Sequence, residues 1–308
     1  LITGASGFAG RNLAAYAAGQ AAEIYELSRR DPAQAQGIGI TADLTQLESI
    51  AQAVRTARPD YVAHLAAQTT ANTPASDERE WLLTNPLITL NLLEAVRLYQ
   101  PRARVLIVSS SSVYGHVPER DLPIRESAPL HPATMYGVSK ATQELVAIRY
   151  AEEHGLDIVC ARPFNQIGPG EPRAMLTSTL AAQVADIAAG RAPPIVRMRH
   201  RATRRDYTDI RDAVRAYWGI LMLGKRGETY NICTGIATPI GEIAERLIAI
   251  AGISADIEET RHAPAAGDIL VQAGSHTKLA QTIGWQPEYS LDQSLADLLR
   301  SLRIEAAV

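Results

Sequence analysis

Tyr136-Gly137-Val138-Ser139-Lys140 places a phenol and an ammonium four residues apart, a spacing that brings both to one face of a helix. A nearby cation favours the phenolate, so this pairing is expected to lower the tyrosine pKa toward a useful acid/base range. Lysine is scarce in this chain. Lys140, Lys225 and Lys278 are the only three of 30 basic residues, and the other 27 are arginine. Arginine is a poor substitute for a compact ammonium that must bond a hydroxyl and relay protons, so the position of Lys140 favours chemistry over a surface charge. Upstream, Ser109-Ser110-Ser111-Ser112 follows the apolar run Val105–Val108 and supplies hydroxyls that could bond a carbonyl oxygen and orient it toward Tyr136. A serine-rich strand end could equally use those hydroxyls for turn bonds.

A second cluster opens the chain. Gly4-Ala5-Ser6-Gly7-Phe8-Ala9-Gly10 is a Gly-x-x-Gly-x-x-Gly loop between an expected strand and an expected helix. Such glycines let backbone approach a pyrophosphate, whose charge the helix N-terminus then attracts. The next strand ends Glu26-Leu27-Ser28-Arg29-Arg30. An acidic residue there would bond adenosine ribose hydroxyls, whereas two guanidinium groups would each attract a 2′-phosphate by on the order of a few kcal/mol. The arginines favour NADP, with a solvated basic turn as the alternative and Glu26 a competing ribose ligand if the register shifts. Asp43, in Ala42-Asp43-Leu44, is placed to accept from an adenine amine, unless it is an ordinary exposed loop aspartate.

These residues need a frame. Short apolar runs at Leu1–Thr3, Ala22–Leu27, Tyr61–Leu65, Val105–Ser109 and Ile158–Arg162 predict strands. Helical patterns at Arg11–Ala18, Leu47–Ala57, Leu87–Tyr99 and Met135–His154 alternate with them, the last stopping at Gly155. This alternation predicts an α/β fold with a doubly wound parallel sheet over residues 1–163, ligands lying at the carboxyl ends of its strands. After Pro163 the texture changes to shorter elements and more loops. Residues 164–308 are therefore expected to form a smaller, discontinuous α/β lobe, with 206–232 packing back on the first.

Bulk properties exclude other classes. With 46% hydrophobic and 20% charged residues the composition is globular, not disordered. A net charge of −3 argues against a nucleic-acid partner. Cys160 and Cys233 have no metal-ligand spacing, predicting buried free thiols and no metal. No apolar run approaches eighteen residues and no signal peptide is evident, so a soluble, cytoplasmic protein without a membrane partner is expected. Leu1 opens inside an expected strand, so a few residues are expected to precede it.

Together Gly4–Gly10, His64-Leu65-Ala66-Ala67-Gln68, Ser110 before Val113-Tyr114-Gly115, and Tyr136 with Lys140 resemble the extended short-chain dehydrogenase/reductases that modify nucleotide-sugars. The resemblance covers essentially the whole chain. It implies a Rossmann lobe binding NAD(P) through Gly4, Ser6, Gly7, Phe8, Gly10, Arg29, Arg30, Asp43, Leu44, Leu65, Ala66, Ala67, Tyr136 and Lys140. It also implies Tyr136 as acid/base, Lys140 holding the nicotinamide ribose, and Ser110, with Ser111, bonding the substrate.

Phe164-Asn165-Gln166-Ile167-Gly168-Pro169-Gly170, Arg204–Asp209 and Ala216-Tyr217-Trp218 resemble GDP-sugar enzymes, nearest to the GDP-6-deoxy-4-keto-mannose reductases and their GDP-mannose 4,6-dehydratase relatives. The dehydratases carry acidic residues where this chain has Ser111 and Ser112, and a hydroxyl cannot serve as a carboxylate base near neutral pH. The family's Arg-Pro-x-acid run has its acidic end at Asp268 here, but Ala265 stands at its arginine position. Asn165, Arg205 and Arg261 are then expected to hold the sugar diphosphate.

The implied activity is NADPH-dependent reduction of a GDP-4-keto-6-deoxy-hexose to GDP-D-rhamnose. The alternatives are a nucleotide-sugar 4-epimerase, a 4,6-dehydratase, and a non-catalytic NADPH-sensing or scaffold protein. Family members commonly dimerise through a four-helix bundle, so a homodimer is expected.

Overall fold

The computed structural model describes residues 1–20, 22–29, 35–69, 78–260 and 269–305. Seven parallel strands form the main sheet: β1 (Ile2–Thr3), β2 (Tyr25–Ser28), β3 (Ile38–Thr41), β4 (Tyr61–His64), β5 (Arg104–Val108), β6 (Asp157–Pro163) and β10 (Thr229–Ile232). Their order is β10-β6-β5-β4-β1-β2-β3. The chain winds outward from β1 to β3, then returns to the other side of β1 at β4. The crevice at the β1/β4 switch is where ligands bind in such sheets.

Both faces are covered, which is why the strands read as continuous apolar runs. On one face α1 (Phe8–Ala18) and α6 (Ile210–Leu223) pack on the sheet through Leu13, Ala14, Val214 and Tyr217. On the other lie α2 (Leu47–Ala57), α3 (Glu78–Tyr99) and α4 (Met135–His154), contributing Ile50, Val54, Leu92, Val96 and Ala147.

A smaller set of elements sits past the strand ends. It comprises β7 (Asn165–Ile167), α5 (Leu176–Ala188), β8 (Ile195–Met198), β9 (Arg204–Asp209), β11 (Ala237–Pro239), α7 (Ile240–Ala251), β12 (Asp256–Glu259), β13 (Val271–Gln272) and α9 (Leu291–Glu305). Here β9 pairs with β7, β11 and β13, and α5, α7 and α9 enclose a separate core around Leu180, Val184, Ile243 and Leu298. Through α6 and β10 the chain returns to the large sheet between visits to this second core, and α8 (Thr277–Ile283) seals Leu279 against the first. Among the described residues no helix is long and apolar enough to cross a membrane.

Two expectations need adjustment. The second strand is Tyr25–Ser28 rather than Ala22–Leu27, so Arg29 follows it directly. Among the described residues helix α3 extends from Glu78, upstream of the expected start at Leu87. Pro86 lies inside the helix, although proline lacks the N–H that its turn requires. Upstream of that point α3 is anchored by buried Trp81 and Asn85, which pack on and bond to α4.

Candidate active site

Helix α4 begins cleanly because Thr134 caps it, its hydroxyl accepting from the Gly137 N–H at 3.1 Å, and it ends at Gly155 with φ +70°. This sets Tyr136 and Lys140 one turn apart on a rigid element. Trp81 of α3 packs edge-on to Tyr136, with ring centroids 6.1 Å apart. At the end of β5 the chain turns through Ser110 into a single 3-10 turn, Ser111–Tyr114.

The Ser110 hydroxyl lies close enough to the Tyr136 phenol to act on its proton affinity. Ser110 Oγ also accepts from the Ser112 N–H (3.2 Å) and the Ser112 hydroxyl (2.9 Å). With both lone pairs engaged, the remaining capacity of Ser110 is its own proton, suited to an oxygen that gains negative charge.

Burial pushes the Tyr136 phenol up to about 12, and the Ser110 hydroxyl opposes that shift. The expectation that Lys140 would lower this pKa is corrected. Desolvation dominates, and the ammonium is turned toward the Val108 carbonyl (2.7 Å) and Gln143 Oε1 (2.8 Å). Lys140 is itself lowered to about 8 by burial, against the pull of Glu144. Tyr136 is therefore a phenol near neutral pH, a proton donor beside a serine donor.

The glycine loop fits a dinucleotide. Gly4 has φ +70°, and a Cβ there would lie 2.7 Å from the Ala66 backbone nitrogen. A Cβ on Gly10 would come within 2.1 Å of the Gly4 carbonyl. The loop is thereby folded tightly against Leu65-Ala66, and α1 opens directly after it at Phe8, where the first N–H groups of a helix lack partners within it. Arg11 ties this loop to the second lobe, donating to the carbonyls of Ser6 (3.3 Å) and Gly170 (2.9 Å).

Glu26 is not at the strand end. It is buried, and its Oε1 accepts from the backbone N–H groups of Gln36 and Gly37, at 2.5 and 2.9 Å. That removes it as a ribose ligand. Arg29 stands past the end of β2 and acts electrostatically on Asp43. Asp43 Oδ1 accepts from the Thr45 N–H (2.9 Å) and hydroxyl (2.8 Å), holding its carboxyl below the usual range, and the Leu44 carbonyl accepts from Asn91 Nδ2 (3.1 Å). Arg30 lies outside the described residues.

In the second lobe, Asn165 Nδ2 donates to the Asp206 carbonyl (3.2 Å) and Arg205 Nη1 to the Arg204 carbonyl (3.0 Å). Ser111 is buried and paired with Gln272 of β13. Arg261, Ala265 and Asp268 lie outside the described residues.

Sequence reasoning missed Asn85, Thr89, Gln143 and Gln272. Asn85 Oδ1 accepts from the Gln68 N–H, while its Nδ2 donates to the Gln68 carbonyl and to Ser139 on the catalytic helix. The expected helix at Leu87–Tyr99 left Asn85 outside it, and the structure places Asn85 within α3.

The chain is similar to proteins of known activity over nearly its whole length. It is 33% identical to GDP-6-deoxy-D-mannose reductase of Pseudomonas aeruginosa over 97% of this chain and 95% of that one. It is 28% identical to UDP-glucose 4-epimerase of Mycolicibacterium smegmatis, over 98% of each. The NADPH complex of RMD from Pseudomonas aeruginosa superposes with a TM-score of 0.86 at 32% identity, covering 99% of this chain and 98% of that one. The model of the NAD dependent epimerase/dehydratase family matches residues 1–233, and with the glycine crevice and the Ser110–Tyr136–Lys140 group in place, the chain belongs to that family.

Proposed function

We propose that this chain uses NADPH to reduce the 4-keto group of a GDP-4-keto-6-deoxy-hexose, forming GDP-D-rhamnose. The carrying observation is the environment of the catalytic turn. Ser111 and Ser112 hold hydrogen bonds to Gln272 and Ser110 where a dehydratase would need carboxylates. The similarity to a GDP-6-deoxy-D-mannose reductase supports the same reading. Arg29 past β2, with Glu26 withdrawn into the 36–37 backbone, supports NADP(H) over NAD, as does the fold's likeness to an NADPH complex.

When bound, NADPH supplies the hydride that reduces carbon 4 of the sugar, itself becoming NADP⁺. Tyr136 delivers its proton to the carbonyl oxygen, converting ketone to secondary alcohol, and is reprotonated from solvent. Ser110 donates its hydroxyl proton in a hydrogen bond to the same oxygen while charge builds there. Lys140 bonds the nicotinamide ribose, one turn of α4 beyond Tyr136. Asn165 and Arg205, with Arg261, hold the sugar diphosphate. We further propose a homodimer through α3 and α4.

The test is a coupled assay with GDP-mannose, a separate 4,6-dehydratase and NADPH. Loss of nicotinamide absorbance only when the dehydratase is present is the expected result. No loss, with NADPH shown to bind, would replace this reading with a 4-epimerase, for which tightly bound NAD in the purified protein would be the mark.

A further inference from the structure

A buried polar chain runs behind the catalytic lysine. Lys140, Gln143, Thr89, His64, Thr3 and Asn85 are all at most 3% exposed. Lys140 Nζ donates to Gln143 Oε1 (2.8 Å), and Gln143 Nε2 donates to Thr89 Oγ1. Thr89 Oγ1 lies 2.9 Å from His64 Nε2, and His64 Nδ1 lies 2.7 Å from Thr3 Oγ1. The chain thus links α4, α3, β4 and β1, and ends where the Ala66 N–H donates to Thr3 Oγ1 at 3.3 Å.

Giving the Thr89 hydroxyl proton to one acceptor assigns a direction to every other bond. The single Thr89 hydroxyl proton goes to the Asn85 carbonyl at 3.1 Å. Its two lone pairs are then left for Gln143 Nε2 and for an N–H on His64 Nε2. His64 Nδ1 must therefore accept, from the Thr3 hydroxyl, and Thr3 accepts in turn from Ala66. One neutral imidazole tautomer satisfies all of these groups. It also locks the Gln143 amide, because a flipped amide would aim its NH₂ at the ammonium and its oxygen at a hydroxyl with no proton to give.

We infer that Gln143 is a positioning residue for Lys140, its carbonyl held on the ammonium by Thr89 and His64 so that Lys140 stays charged and aimed at the nicotinamide ribose. This rests on the proposed role of Lys140. Burial together with the Lys140 charge lowers His64 to about 3, so the imidazole stays neutral throughout the working range. The other ionisable groups around Lys140 are arranged compatibly. Tyr136 and Glu144 share its helix, and Arg162 of β6 engages the Glu144 carboxylate at 2.7 Å, with Tyr114 bonded to that arginine and Cys160 nearby. Glu144 is thus shared with Arg162, and Gln143 supplies a side-chain acceptor directly on the ammonium.

The experiment is the pH dependence of kcat from pH 6 to 10 in the coupled assay, with NADPH binding followed by fluorescence. A carbonyl dipole on a buried cation favours the charged form, and a carboxylate favours it more. Gln143→Leu should move the alkaline limb to lower pH by about one unit, and Gln143→Glu should move it to higher pH by a comparable amount. Thr89→Val should follow Gln143→Leu, and Thr89→Ser should match the parent enzyme. Should Gln143→Leu fail to fold, Gln143→Glu and the Thr89 pair give the same reading.

A limb that stays in place, or moves the same way in both Gln143 variants, overturns the inference. Lys140→Met separates this from the underlying assignment. Parent-like turnover in Lys140→Met would sink the role given to the lysine itself. An impaired Lys140→Met beside unmoved Gln143 variants would sink only the positioning role.

Discussion

The Ser111 hydroxyl donates to Gln272 Oε1 at 3.2 Å while Gln272 Nε2 donates to the Ser111 carbonyl at 3.1 Å, a two-way tie between residues 161 apart in sequence. It joins the catalytic turn to β13, and β13 pairs Gln272 with Arg205 of β9. The Ser111 hydroxyl is thus used to register the substrate-side sheet against the turn, while Ser110 faces Tyr136. Ser110→Ala is expected to lower kcat by about 100-fold or more, as loss of an oxyanion donor does. Ser111→Ala should keep most of kcat and raise KM for the nucleotide-sugar. Steady-state kinetics on the two variants checks this, and equal kcat losses would contradict it.

Replacing Tyr136 by Phe removes the proposed proton donor and keeps a ring to pack against Trp81. Turnover should fall by at least three orders of magnitude. NADPH binding, titrated by fluorescence, should stay within about twofold, because the glycine loop and Arg29 are untouched. Substantial residual turnover would move the acid role elsewhere.

Cofactor choice should follow Arg29. Loss of one guanidinium from a phosphate costs on the order of 1–2 kcal/mol at a solvent-exposed site, so Arg29→Ala should raise KM for NADPH by about tenfold and leave KM for NADH nearly unchanged. Added salt should weaken NADPH binding more in the parent than in the variant. Glu26→Gln is the control. Its carboxylate accepts from the 36–37 backbone, so it should lower thermal stability rather than shift the NADPH/NADH ratio.

What could be read from sequence was local. Tyr136 and Lys140 share a helix face, the glycines precede one helix, and Ser110 follows one strand, so each relation spans only a few residues. The continuous apolar strands announced a sheet covered on both faces. What could not be read depends on tertiary pairing. Gln272 meets Ser111 only because β13 joins β9, and Gln143 meets His64 only through Thr89 on a third element. The first turns of α3 were missed for the same reason, since Pro86 argues locally for a break while Trp81 and Asn85 before it are buried in the fold. The Tyr136 pKa also ran opposite to the motif's suggestion, because desolvation is a property of the folded surroundings.

Glu171 offers a stability test outside the chemistry. It is buried beside Thr177, which donates to its Oε1, while Oε2 has no hydrogen-bond partner among the described residues. Burial raises its pKa to about 8. Between 4.5 and about 8 the folded chain therefore holds a proton that the unfolded chain releases, and stability falls as pH rises through that window. Glu171→Gln keeps an oxygen for Thr177 and has no charge to bury. Its melting temperature should match the parent near pH 5 and exceed it by several degrees at pH 8, as differential scanning calorimetry would show.

The outer face of α3 and α4 predicts the assembly. Leu83, Leu87 and Leu90 form one stripe on α3, and Leu145 and Ile148 another on α4, with exposures of 40–60%. The two helices pack on each other. Large aliphatic side chains grouped this way mark a contact surface, and two copies related by a two-fold axis would bury it as a four-helix layer. Light scattering at micromolar concentration should give twice the 33.2 kDa chain mass. Leu87→Glu combined with Leu145→Glu should give the monomer mass with the fold intact by circular dichroism. A monomer in the parent protein would refute the dimer directly, and an unchanged dimer in the double variant would place the interface elsewhere.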